Sequence, residues 1–149
     1  MSKKIYSEID IHADSKAIWR TLMEFDKFPD WNPFIQKIDG NPQKGERLYA
    51  RMQLNSQKPM VFKPYVRKVV EHKHFEWLGH LLIPGLFDGR HIFRLQENGN
   101  GTTTFIQEEI FSGILLPFLH KNLEKNVPLS FDAMNQALKK QVEDKNHST

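Results

Sequence analysis

Leu116, Leu119, Leu123, Val127, Phe131, Met134, Leu138 and Val142 recur every three or four residues. That spacing places them on one face of a long C-terminal helix. A helix that is apolar along its whole length must bury that face against something broad. The segment upstream supplies the cover, because residues 45–111 read as strands joined by short loops. Pro128 lies inside the helical pattern, and is expected to kink the helix or restart it with Asn126 as a cap.

The remaining segments fit the same architecture. In KIYSEIDIH, Ile5, Ser7, Ile9 and Ile11 alternate with Tyr6, Glu8, Asp10 and His12, the pattern of a strand with one mainly apolar face. Asp14 is placed to cap a helix carrying Ala17, Ile18, Leu22 and Phe25. Pro29 and Pro33 then break FDKFPDWNPFIQKIDG into short turns, anchored by Trp31, Phe34 and Ile35. Further strands are expected over 47–54, 60–71 (with Pro64 at an edge or bulge), 75–83, 87–96 and 102–111. Glu97-Asn-Gly-Asn-Gly101 is the clearest hairpin signal. Residues 144–149 are expected to fray. The pattern predicts one α+β domain over residues 1–149, with a curved antiparallel sheet wrapped around the terminal helix.

At 149 residues, 39% hydrophobic and 26% charged, the chain has the composition of a globular domain with a sizeable core. No apolar run reaches the roughly 20 residues that cross a bilayer, and no signal peptide is visible at the start. Stable membrane insertion is therefore not expected, and a cytoplasmic location is. The net charge of +3 comes from lysines and arginines scattered among acids. There is no basic stripe for nucleic acid. The absence of cysteine excludes disulfides, thiolate metal sites and a cysteine nucleophile. His72 and His74 lie two apart in an expected polar turn with no third ligand in sight, so no metal is expected. No phosphate-binding glycine loop, zinc-protease helix or nucleophile elbow occurs. No cofactor is expected.

One ionisable residue falls in step with apolar ones. In LFDGRHIFRL, His91 alternates with Phe87, Phe93 and Leu95. A symmetric hairpin about Gly99 would set Gln107 opposite His91, and Glu109 opposite Gly89. His91 and Glu109 would then be diagonal neighbours, about 7–8 Å apart at the backbone. Phe87, His91, Phe93 and Leu95 would share the inner face with Phe105, Gln107, Glu109 and Phe111. Three polar groups on an aromatic face need partners or a hydrated cavity. They are either a satisfied core pair or the wall of a ligand pocket. Trp77, in FEWLGHLL, has the same two readings, core or ligand platform.

IWRTLMEFDKFPDWNPFIQKIDG, FEWLGHLLIPGLFDGRHIFRL and TTTFIQEEIFSGILLPFL leading into FDAMNQALKKQVE resemble the superfamily of START lipid-transfer domains, polyketide cyclases and birch-pollen-type allergens (SRPBCC). The likeness is greatest to its polyketide cyclase/dehydrase-like bacterial members. It implies a helix-grip fold, a curved antiparallel sheet around a long C-terminal helix with an apolar cavity between them. It also implies a hydrophobic small-molecule partner such as a lipid or polyketide. Trp77, His91, Glu109 and Phe111 match the family pattern, whereas Pro128 departs from its uninterrupted helix. Taken with the inward faces, the expected ligand-binding set is Trp77, Phe87, Phe93, Phe111 and Met134, with His91, Gln107 and Glu109 as its polar members. The leading expectation is a carrier or sensor of a hydrophobic molecule. The rival is a cyclase or dehydratase with His91 and Glu109 as acid/base pair. A third reading, a co-chaperone-like interaction module, would show a large exposed apolar patch instead of an enclosed cavity.

Overall fold

A computed structural model describes residues 2–55 and 57–147. The chain runs β1 (Ser2–Ile11), α1 (Ser15–Met23), a 3-10 turn (Phe25–Lys27), α2 (Phe28–Trp31), β2 (Ile35–Asp39), β3 (Tyr49–Met52), β4 (Met60–Phe62), β5 (Tyr65–Val70), β6 (His74–His80), β7 (Asp88–Glu97), β8 (Thr103–Ser112) and α3 (Leu116–His147). Asp14 caps α1, accepting the Ala17 N–H at 2.8 Å. Five strands pair in the order β1-β8-β7-β6-β5, and β2-β3-β4 form a second sheet. Backbone bonds from Leu48 N–H to the Pro64 carbonyl and from Gly45 N–H to the Val66 carbonyl, both 2.8 Å, tie the two sheets together.

Two strands depart from the sequence expectation. The run over 60–71 splits into β4 and β5 around Pro64, which has no N–H to give to a ladder. β2 shows no alternation in the sequence because a bulge between Ile35 and Lys37 breaks the period of two. Ile35 and Ile38, three apart, are therefore both buried.

The concave side of the sheet grips α3. Val127, Phe131, Met134, Leu138 and Val142 have essentially no exposed surface. Full burial of such side chains contributes about 1.5–3 kcal/mol each. Pro128 does not end the helix, and Asn126 does not restart it as a cap. The Asn126 side-chain amide donates to the Asn122 carbonyl at 3.1 Å, and Ser130 Oγ donates to the Asn126 carbonyl at 3.0 Å. Side chains thus reinforce the turns where proline withholds a donor. α3 continues to His147, into the stretch expected to fray; Ser148 and Thr149 lie outside the described residues. The result is the helix-grip architecture. No helix among the described residues is long and apolar enough to cross a membrane.

The β7–β8 register differs from the symmetric expectation by two residues. His91 pairs directly with Glu109, Phe93 with Gln107 and Gly89 with Phe111. The last pair is Glu97–Thr103, so the loop is centred on Asn100 instead of Gly99. Asn98 N–H closes it on the Thr102 carbonyl at 3.0 Å. A two-residue shift changes partners but keeps every side chain on its face.

Candidate functional site

Between α3 and the sheet lies a cavity of about 290 Å³, close to the lower end for small-molecule sites. Leu119, Leu123 and Val127 of α3 form one wall, and Phe34, Phe62, Trp77, Phe87 and Phe111 supply an aromatic one. Phe87 and Phe111 are stacked, with ring centroids 5.5 Å apart and planes 7° off parallel. The half-exposed or exposed Gln57, Lys58 and Asn122 form the rim. Glu109 is the carboxylate on the wall.

Glu109 reaches the cavity because its neighbour has no side chain. A Cβ on Gly89 would lie 2.7 Å from Glu109 Oε1. The other oxygen, Oε2, is 2.9 Å from Nδ1 of the fully buried His91. That contact is electrostatic more than a hydrogen bond, since Nδ1 has no partner along its donor direction. Phe34, Trp77, Phe93 and Phe131 box in the imidazole, the Phe93 ring stacking on it at 4.3 Å.

Behind the histidine runs a chain of polar side chains. His91 Nε2 meets Gln107 Oε1 at 3.0 Å, and Gln107 Nε2 donates to Asn135 Oδ1 at 2.7 Å. Asn135 Nδ2 donates to Ser7 Oγ at 2.9 Å, and Ser7 Oγ donates to Asp132 Oδ1 at 2.6 Å. The chain crosses from β7 through β8 and α3 to β1 and ends at an exposed carboxylate. The hydrogen bonds from His91 Nε2 to Ser7 hold one arrangement of this buried core.

The loop between β3 and β4 is strapped to α3 at the rim. Asn55 N–H donates to Ser130 Oγ at 2.9 Å, and Gln57 Nε2 donates to Asn122 Oδ1 at 3.2 Å. On another side of the rim, Leu82, Ile83, Ile114 and Phe118 are 63–86% exposed. They stand beside the cavity-lining Leu81, Phe87 and Leu119. Leu82 holds a left-handed backbone, φ 64°, which is unfavourable for a side chain of its kind.

Residues 2–143 match the family model described as polyketide cyclase / dehydrase and lipid transport. The chain belongs to this family. Solved structures with the same fold include a norcoclaurine synthase point mutant from Thalictrum flavum in complex with a transition-state analogue (TM-score 0.75, 15% identity, 98% of this chain and 97% of that one). The Zhui aromatase/cyclase from Streptomyces sp. R1128 aligns with a TM-score of 0.79 at 11% identity, over 96% of this chain and 94% of that one. Ara h 8.0201 aligns with a TM-score of 0.68 at 13% identity, over 97% and 99%. At these identities the likeness is one of fold. No curated protein sequence matches this chain.

In this polyketide cyclase/dehydrase family member, Trp77, Phe87, Glu109 and Phe111 stand on the cavity wall. His91, Phe93, Gln107 and Met134 are buried behind it and do not line it. Gly89, Ser7, Asn135 and Asp132 escape a sequence reading of the site. Two of them carried a signal, since Ser7 falls in step with Ile5, Ile9 and Ile11, and Asn135 sits beside Met134 on the apolar face of α3. A polar residue among apolar ones marks a partner to be found. No group of three or more metal-ligating side chains occurs among the described residues.

Proposed function

We propose that this family member binds a hydrophobic small molecule in the cavity between α3 and the sheet, as a carrier or sensor. The carrying observation is the cavity itself: about 290 Å³ walled by aromatic and aliphatic side chains, with Glu109 as its carboxylate. The exposed apolar residues on the rim support the same reading, since they offer a ligand an apolar way in and out. The strap from Asn55 and Gln57 to α3 is the element that would yield during exchange. The test is titration with the apolar fluorophore N-phenyl-1-naphthylamine. Saturable binding to the wild type, weakened by Phe111→Ala or Trp77→Ala, is expected. Absence of saturable binding by this probe and by a panel of lipids and polyketides would remove the proposal.

A second reading, cyclase or dehydratase chemistry, is favoured by one observation, the placement of Glu109 on the wall with His91 Nδ1 behind it. Because His91 has no cavity surface, the roles follow from position. Glu109 would exchange the proton with a bound molecule, and His91 would hold the carboxylate and share that proton. Given a substrate that is turned over, Glu109→Gln should abolish turnover and His91→Gln should reduce it. Unchanged turnover in both variants excludes this chemistry.

A further inference from the structure

Resting on the reading of the cavity as a ligand site, we propose that its occupant is an apolar molecule carrying a hydrogen-bond donor, a hydroxyl or an amine, and that ionised carboxylates are excluded. The orientation of every group in the polar chain follows from its far end. The Asp132 carboxylate only accepts, so the Ser7 hydroxyl donates to it. Ser7 Oγ is then left to accept, and the Asn135 side chain turns its NH₂ to Ser7 and its oxygen to Gln107. Gln107 must donate to that oxygen, which leaves Gln107 Oε1 facing His91 Nε2. Nε2 therefore carries a proton, and Nδ1 is the nitrogen that faces Glu109.

Nδ1 faces Glu109 Oε2 at 2.9 Å. A proton can reside on Nδ1 or on Oε2. With the proton on Nδ1, Glu109 is a carboxylate; with the proton on Oε2, it is an acid whose free oxygen is a carbonyl. Oε1 is an acceptor in both cases. It lies against Gly89, 2.7 Å from where a Cβ would stand, and both residues line the cavity. An acceptor facing an apolar cavity gains by meeting a donor, and the lining is mostly aromatic and aliphatic, with His80 on the wall and Lys58 at the rim. A ligand hydroxyl or N–H satisfies it. An ionised carboxylate would set acceptor against acceptor in a medium that screens poorly.

The experiment is calorimetric titration, at neutral pH, of the whole chain with 1-naphthol, 1-methoxynaphthalene and 1-naphthoate. These probes share an apolar body and differ in the polar group. The naphthol is expected to bind several-fold tighter than the methyl ether, a factor that one hydrogen bond supplies, with no saturation by the naphthoate. In Glu109→Met the naphthol and the ether should become equal; Gly89→Ala, which pushes Oε1 aside, should narrow their ratio if the methionine variant does not fold. Equal affinity of naphthol and ether in the wild type, or naphthoate binding as tightly as naphthol, overturns the donor requirement and leaves the cavity reading standing. No binding by any of the three overturns the cavity reading, and this inference with it.

Discussion

His91 and Glu109 are direct cross-strand partners on β7 and β8, with Nδ1 2.9 Å from Oε2 and the imidazole wholly buried. The carboxylate stands between the histidine and the cavity. Under the proposed ligand reading, a molecule that reaches Glu109 feels His91 only through that carboxyl group. The consequences are measurable on both sides of the pair.

Behind the pair, Gln107→Leu removes the acceptor for His91 Nε2 and the donor to Asn135. Orphaned buried polar groups cost about 1–3 kcal/mol each. With two groups orphaned, urea unfolding should show a loss of about 2–6 kcal/mol. The ¹⁵N shifts of His91 should report protonated Nε2 in the wild type and lose that preference in the variant. An unchanged ring spectrum would mean that the chain does not set the tautomer.

In front of the pair, Gly89→Ala should disturb binding more than stability. The added Cβ meets the end of the Glu109 side chain, 2.7 Å away, which moves at less cost than backbone would. Replacing a strand glycine recovers about 0.5–1 kcal/mol of backbone entropy, so a small net change in melting temperature is expected alongside weakened binding of 1-naphthol.

At the rim, the double variant Asn126→Ala/Ser130→Ala removes two helix side chains that hold the loop between β3 and β4. Ser130 accepts from Asn55 N–H, and Asn126 Oδ1 accepts from the Asn55 amide at 3.4 Å. Stopped-flow release of N-phenyl-1-naphthylamine should accelerate several-fold, with β-sheet circular dichroism unchanged. Release at the wild-type rate would show that ligand leaves by another side.

Away from the cavity, Glu143 ties the end of β1 to α3. Burial works to raise its carboxyl. Hydrogen bonds from His12 N–H, the Lys139 ammonium and the His12 ring outweigh that and hold it down to about 2, from an ordinary 4.5. A depressed folded value stabilises above the unfolded one, so this contribution is full above about pH 4.5 and disappears as pH falls towards 2. Glu143→Gln should therefore lower stability at neutral pH. Its unfolding curve should converge on that of the wild type between those limits.

The long apolar stripe of α3 and the alternation in β1, β7 and β8 are local patterns, and the sequence shows them directly. The side of the sheet occupied by His91, Gln107 and Glu109 is also legible, because a two-residue register error preserves the face. Their actual pairing is not, since it depends on a loop centred on Asn100. β2 is hidden by its bulge. The partnership of Ser7, Asn135 and Asp132 is hidden because β1 meets α3 only in the folded chain, over 120 residues apart in sequence. That His91 lies behind the wall and not on it depends on packing by Phe34 and Phe131, which no spacing rule contains.

Gly79 gives the most direct measurement of whether the cavity is where the ligand sits. It lines the cavity, and a Cβ there would make only ordinary contacts, 3.8 Å to Pro64 and 4.0 Å to the Gly89 carbonyl. Gly79→Val suits a strand and puts a side chain on the cavity wall from a Cβ that meets only ordinary neighbours. Fluorescence titration with N-phenyl-1-naphthylamine should show one saturable site in the wild type, and affinity reduced about tenfold or more in a Gly79→Val protein of native melting temperature. Equal affinity of the two proteins would contradict the cavity as the binding site.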